Sequence, residues 1–298
     1  AVVGAEYAAR FQFRQARTSG NAGDYIANSG AWSAGPDNSL GFRDREVPLK
    51  KPGQYRIVIV GDSFTWGAGL ERGERFSDLL QQFLGPRYEV FNFGLPGNNM
   101  GGHLNVLEAA LPVKPDFVLL QLYINDFETR YMQRPPSYPL LPPALDSRLG
   151  QSSLLYNLIQ TQWSRLQEGL GISEGYVQYM NRSLKDPNGL NSIEAFGQLK
   201  QFFARARAAH AGVGVVTFPE TDALGPNGSA YPFRYLHEGV GRACEDEQVR
   251  CLDLLPLFST FRDPRAVWVS PFDAHPNAMA NRRAAFEIQQ AFAPEWQY

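Results

Sequence analysis

The stretch Tyr55-Arg56-Ile57-Val58-Ile59-Val60-Gly61-Asp62-Ser63 decides how this chain reads. A β-branched run closed by a glycine suits a strand buried on both faces. The helical spacing of Phe76, Leu79, Leu80, Phe83 and Leu84 follows, and Gly85-Pro86 stops it. The alternation continues with a strand over 88–93, a helix over 100–111 and a strand over 117–124. It resumes with a helix over 192–209, a strand over 213–218 and a helix over 231–246. A fifth strand over 249–255 and a last helix over 277–292 complete it. Apolar strands alternating with amphipathic helices predict an α/β fold: a parallel sheet covered by helices on both faces.

Upstream, Tyr7, Phe11 and Phe13 suit a short helix within residues 1–19, and residues 20–53 read as irregular. The division expected is an N-terminal extension over 1–53 packed on a catalytic domain over 54–298. Residues 127–190 exceed an ordinary connection and form an insertion, Pro-rich at first, with a helix from Ser152 to about Leu166. The insertion leaves the carboxyl end of the third strand, so it should overhang whatever lies there.

Composition narrows the function. The 298 residues carry 28 Lys and Arg against 30 Asp and Glu, a net charge of −2. That excludes the basic footprint of a general nucleic-acid binder. No apolar run is long enough to cross a bilayer. No charged-then-apolar signal segment follows Ala1, which suits a mature or truncated product, or loss of the initiator Met. Cys244 and Cys251 fall on a helix end and the next strand, where a bridge is geometrically possible.

In such sheets, ligands gather beyond the carboxyl ends of the strands. Those ends carry Gly61-Asp62-Ser63, Asn92 with Gly97-Asn98, and Asn125-Asp126; Asp273-Ala274-His275-Pro276 precedes the last helix. Singly, each suits a turn or a helix cap. Together they supply a hydroxyl, a base, a carboxylate and amide donors to one rim, the set that nucleophilic acyl transfer needs.

These four blocks resemble those of the SGNH (GDSL-type) hydrolases, over roughly residues 55–128 and 192–292. The resemblance implies a three-layer α/β/α sandwich with five parallel strands ordered 2-1-3-4-5. It implies Ser63 as nucleophile, His275 as base and Asp273 as its acid. Oxyanion donors would be the Ser63 and Gly97 N–H groups and the Asn125 amide, Gly97 fitting better than Gly94. It implies a serine esterase, on a short-chain or carbohydrate ester, with no metal and no organic cofactor. The sequence departs from many members in one place: only Ala274 separates Asp273 from His275, where two residues are common. Whether Asp273 or another carboxylate orients the imidazole is left open by that spacing.

An O-acyltransferase using the same triad, or a carbohydrate-binding module without catalysis, would share these blocks. A nucleotide-binding flavodoxin-like domain is disfavoured, because the loop after the first strand has no Gly-rich phosphate cradle. Trp66 and Asn98 are expected to touch substrate. Asp62 is expected to hydrogen-bond its own turn, and Glu220 to be a solvated loop carboxylate. His103, His210 and His237 share no ligand spacing and read as surface or half-buried residues. The insertion's Tyr131, Tyr138, Tyr156, Trp163, Tyr176 and Tyr179 read as packing residues. Asn38-Ser39-Leu40-Gly41-Phe42-Arg43-Asp44 resembles a leader of some bacterial, often exported or membrane-tethered, members. That implies a periplasmic or extracellular protein acting on envelope or polysaccharide esters.

Overall fold

Five strands form one parallel sheet in the order β2-β1-β3-β4-β5 in the computed structural model. The structure describes residues 4–6, 38–133, 136, 138–225, 230–270 and 273–296. β1 spans Tyr55–Gly61 and leads directly into α1, Ser63–Trp66. Helix α2, Phe76–Leu84, returns the chain to β2, Tyr88–Gly94. Helix α3, Met100–Ala110, precedes β3, Phe117–Leu122. A 3₁₀ turn over Ile124–Phe127 follows β3, where the strand was expected to continue to 124.

Among its described residues the insertion holds three helices rather than one: α4 Pro143–Ser152, α5 Leu154–Gly169 and α6 Tyr176–Leu184. The alternation then resumes with α7 Leu190–Ala208, β4 Gly212–Thr217, α8 Arg234–Asp246 and β5 Arg250–Asp253. After the short helix α9, Leu255–Phe258, come β6 Trp268–Ser270 and β7 Asp273–Pro276, and finally α10, Ala278–Phe292. The pair β6–β7 is an antiparallel ribbon separate from the main sheet. Its two strands fell in what reads from the sequence as a loop.

The central strands are dry. Ile57, Val58, Ile59 and Val60 of β1 and Val118, Leu119 and Leu120 of β3 are wholly buried. Burial on both faces removes the polar alternation of a half-exposed strand, so these segments are apolar throughout. Helix α10 packs on α2, and α3 packs on α7, giving the outer layers. Cys244 on α8 and Cys251 on β5 form a disulfide. Among the described residues no helix is long and apolar enough to cross a membrane.

Residues 38–44 are built into this core rather than lying over it. The Arg43 guanidinium donates to the carbonyls of Trp66, Gly67 and Leu70, just behind α1. The Asp44 carboxylate accepts the Asn92 N–H of β2 at 2.6 Å. The Phe42 and Phe93 rings stack at 4.1 Å. Upstream, Gly4–Glu6 are helical, and the Glu6 carboxylate accepts the Ser153 hydroxyl and the Leu155 N–H at the start of α5. Tyr7, Phe11 and Phe13 of the expected first helix lie outside the described residues, as does Pro135 of the insertion.

Candidate active site

Gly61 ends β1 against Gln121 and Thr65, and a Cβ on it would overlap both side chains. Only a glycine lets these two side chains come so close to the end of β1. Gln121, buried on β3, accepts from the Asp62 and Thr65 N–H groups and, at 2.8 Å, from the Thr65 hydroxyl. Asp62 caps α1, accepting the Phe64 N–H at 2.9 Å. Its carboxylate thus bonds its own turn, as the sequence suggested, and burial pushes its pKa upward. Ser63 is the first residue of the helix so capped.

His275 arrives on the β6–β7 ribbon. Side chains two apart on a strand share a face. Asp273 and His275 stand in that relation on β7, so the single intervening Ala274 suits a strand. Asp273 Oδ1 lies 2.5 Å from His275 Nδ1 and also accepts the His275 N–H at 3.0 Å. His275 Nε2 lies 2.9 Å from Ser63 Oγ. The carboxylate that meets the imidazole in the structure is Asp273. The Thr221 hydroxyl holds the Ala274 carbonyl at 2.6 Å and ties the ribbon to the end of β4. Burial works to lower the His275 pKa, but the Asp273 charge and hydrogen bond, with Asp62 and Glu220, outweigh it and the net shift is upward.

A cleft of about 640 Å³ opens at this array. Ser63 and His275 line it together with Gly97, Asn125, Tyr123 and Glu128. Gly97 has φ 73°, the left-handed region that favours glycine. Gly94 sits elsewhere: a Cβ there would overlap the backbone of Thr65 and Trp66, so its smallness lets β2 approach α1. From the insertion, Tyr176 of α6 reaches the cleft. Tyr179 is buried, and the Trp163 indole donates to the Tyr138 carbonyl within the insertion itself.

Several expectations are corrected here. Neither Trp66 nor Asn98 lines the cleft. The Trp66 ring carries the Arg43 guanidinium 4.4 Å from its centroid, and the Asn98 amide bonds His103. Glu220 is buried rather than solvated: its carboxylate accepts the Tyr123 hydroxyl, and burial raises its pKa. His103 and His237 are both buried and each meets an aspartate, Asp126 and Asp253 respectively. Gln121, Arg43 and Thr221 were missed, since a lone Gln, Arg or Thr carries no sequence signal until the sheet order places it.

The sequence profile of the GDSL-like lipase/acylhydrolase family matches residues 59–283, a span that runs from the end of β1 through β2 to β5 and the β6–β7 ribbon into α10. The chain belongs to that family and is accordingly a hydrolase. Among solved structures it is similar to TesA, at 17% identity over 80% of this chain and 98% of that one, with a TM-score of 0.50. It is similar also to LAE5, an alpha/beta hydrolase enzyme from the metagenome of Lake Arreo, Spain. That match has 17% identity over 83% of this chain and 98% of the other, with a TM-score of 0.50. At such identity the likeness is one of fold, and it agrees with the 2-1-3-4-5 sheet. No curated protein matches the sequence.

Proposed function

We propose that the protein is a serine esterase working through Ser63, His275 and Asp273. The observation that carries this reading is the in-line array of Asp273, His275 and Ser63, at 2.5 and 2.9 Å, on the wall of an open cleft. His275 Nε2 takes the Ser63 hydroxyl proton as Oγ attacks the ester carbonyl. Asp273 holds the Nδ1–H and stabilises the imidazolium. The Ser63 and Gly97 N–H groups and the Asn125 amide receive the developing oxyanion. His275 returns the proton to the leaving alcohol. Water, deprotonated in turn by His275, then attacks the acyl-Ser63 ester, releasing the acid and restoring the hydroxyl.

The substrate class we favour is a short-chain ester of a polar alcohol such as a sugar. Glu128 and Tyr176, which line the cleft, support that choice, as side chains able to hydrogen-bond the hydroxyls of a sugar.

The test is hydrolysis of p-nitrophenyl esters, acetyl to long-chain, by the wild type and Ser63→Ala in parallel. The reading expects activity in the wild type, greatest for acetyl, and none above background in the variant. Equal rates in both proteins would overturn it. Repeating the assay with added sugar alcohols detects acyl transfer: acylated sugar formed faster than free acid would make the protein a transferase on the same triad.

A further inference from the structure

Two loops supply the oxyanion donors of the reading above, one after β2 and one after β3, and their separation has to be held. Asn98 follows Gly97, and its Nδ2 lies 3.3 Å from His103 Nδ1. His103, on α3, places Nε2 2.6 Å from Asp126 Oδ1. Asp126 follows Asn125, and its other oxygen accepts the Tyr123 N–H at 2.6 Å, closing the turn that carries Asn125. His103 and Asp126 are both fully buried. The Asn98 amide donates to Nδ1, so the ring proton sits on Nε2 and is given to the Asp126 carboxylate.

The surroundings are shaped for this contact. A Cβ at Gly102 would overlap the Asn98 amide, so this helix carries a glycine in its first turn, where that residue is otherwise unfavourable. The Asn99 side chain caps the same turn, accepting the Gly102 N–H at 3.0 Å. It also donates to the Glu128 carbonyl at 3.0 Å, a second tie between the two loops.

We propose that Asn98, His103 and Asp126 form a buried positioning relay that fixes the Gly97 N–H and the Asn125 amide relative to each other. The proposal rests on the acyl-enzyme reading, in which those two groups face the same oxyanion. None of the three residues lines the cleft, so they act through their neighbours. Oxyanion donors are effective only when held in place before charge develops, and hydrogen bonds shielded from water hold best. A brace of this kind is felt in the transition state and hardly at all in the ground-state ester, whose carbonyl carries little charge.

The test compares wild type, Asn98→Ala, His103→Gln and the double variant on p-nitrophenyl acetate, with Ser63→Ala as control. Each is also titrated with phenylboronic acid, which forms a tetrahedral adduct on a reactive serine. The relay expects kcat to fall about 10- to 100-fold, as for a donor displaced by about 1 Å, with KM little changed. Boronate affinity should fall in step with kcat. The double variant should lose no more than the worse single one, because the two residues act as one unit. Unchanged kcat and boronate affinity in folded single variants, or losses that multiply in the double variant, would overturn the relay. If His103→Gln fails to fold, Asn98→Ala carries the test alone through its kcat-against-KM split and boronate affinity, an unchanged pair again overturning the relay. Activity persisting in Ser63→Ala would instead defeat the esterase reading itself.

Discussion

Two histidine–aspartate pairs lie near the candidate nucleophile, both close enough to act on the neighbouring Asp62 carboxyl, and their surroundings differ. In the first, Asp273 and His275 sit two residues apart on β7, half-buried, with the free ring nitrogen on Ser63 Oγ. In the second, His103 and Asp126 are brought together from α3 and the turn after β3, fully buried, with the free ring nitrogen on the Asn98 amide. The side-chain chemistry is the same. What differs is the third partner and the access to a cleft. A hydroxyl at the end of the array on an open wall permits proton transfer to a substrate; an amide at the end of a dry array permits only a fixed shape. Burial pushes the Asp126 carboxyl up to about 7, with the nearby Asp62 charge also raising it and His103 pulling it down. A perturbed pKa therefore marks the bracing pair as well as the pair on the cleft, and does not by itself separate them.

The contrast can be broken by mutation, most severely at the cleft. His275→Ala should lower kcat by at least ~10⁴-fold, since the serine loses its base. Loss of His103 should cost no more than about 100-fold. Equal losses on p-nitrophenyl acetate would erase the distinction drawn between the two histidines. Asp273→Asn should cost about 10³–10⁴-fold while leaving Ser63 in place, because the imidazole loses its orienting charge. Asn125→Ala removes a single oxyanion donor and should cost about 10²–10³-fold in kcat with KM nearly constant.

The pH profile sharpens the comparison further. His275 must be neutral to accept the Ser63 proton, and its pKa is raised from the ordinary histidine value of about 6.5. The acid limb of kcat/KM should then fall as pH drops through a point above that value. Asp273→Asn removes the contact that raises it most and should move the limb to lower pH. A limb that does not move would mean that Asp273 does not set the imidazole's charge. The smallest effect on chemistry is expected at Arg43, whose buried guanidinium holds three carbonyls behind α1. Arg43→Ala should cost about 2–4 kcal/mol of stability in denaturant unfolding, far more than an exposed arginine would.

The pair on the cleft stood out in the sequence and the buried pair did not, for a physical reason. Ser63, Gly97, Asn125 and His275 each stand at a strand end or beside the last helix, where the α/β alternation alone directs attention. The alternation itself was readable because strands buried on both faces carry continuous apolar runs: Val58 and Leu119 need no partner to be recognised. His103, by contrast, is one histidine in a helix. Its aspartate lies 23 residues away and reaches it only because β1 is flanked by β2 and β3. The β6–β7 ribbon escaped for a different cause: strands of three and four residues show too little alternation to read. Asn98 and Trp66 were placed at the rim by position, but the side chain of one turns to His103 and that of the other packs under Arg43. Chain position locates a Cα near a site; it does not say which way the side chain turns.

Covalent trapping tests the central claim most directly. Wild-type protein would be treated with a p-nitrophenyl alkylphosphonate, whose phosphorus is attacked by an activated serine with loss of p-nitrophenolate. Peptide mass spectrometry then locates the adduct. One phosphonyl group on the peptide carrying Ser63, absent when His275→Ala is treated in the same way, is the predicted result. Modification of another residue, or equal labelling of both proteins, would contradict the assignment of Ser63 and His275 as nucleophile and base.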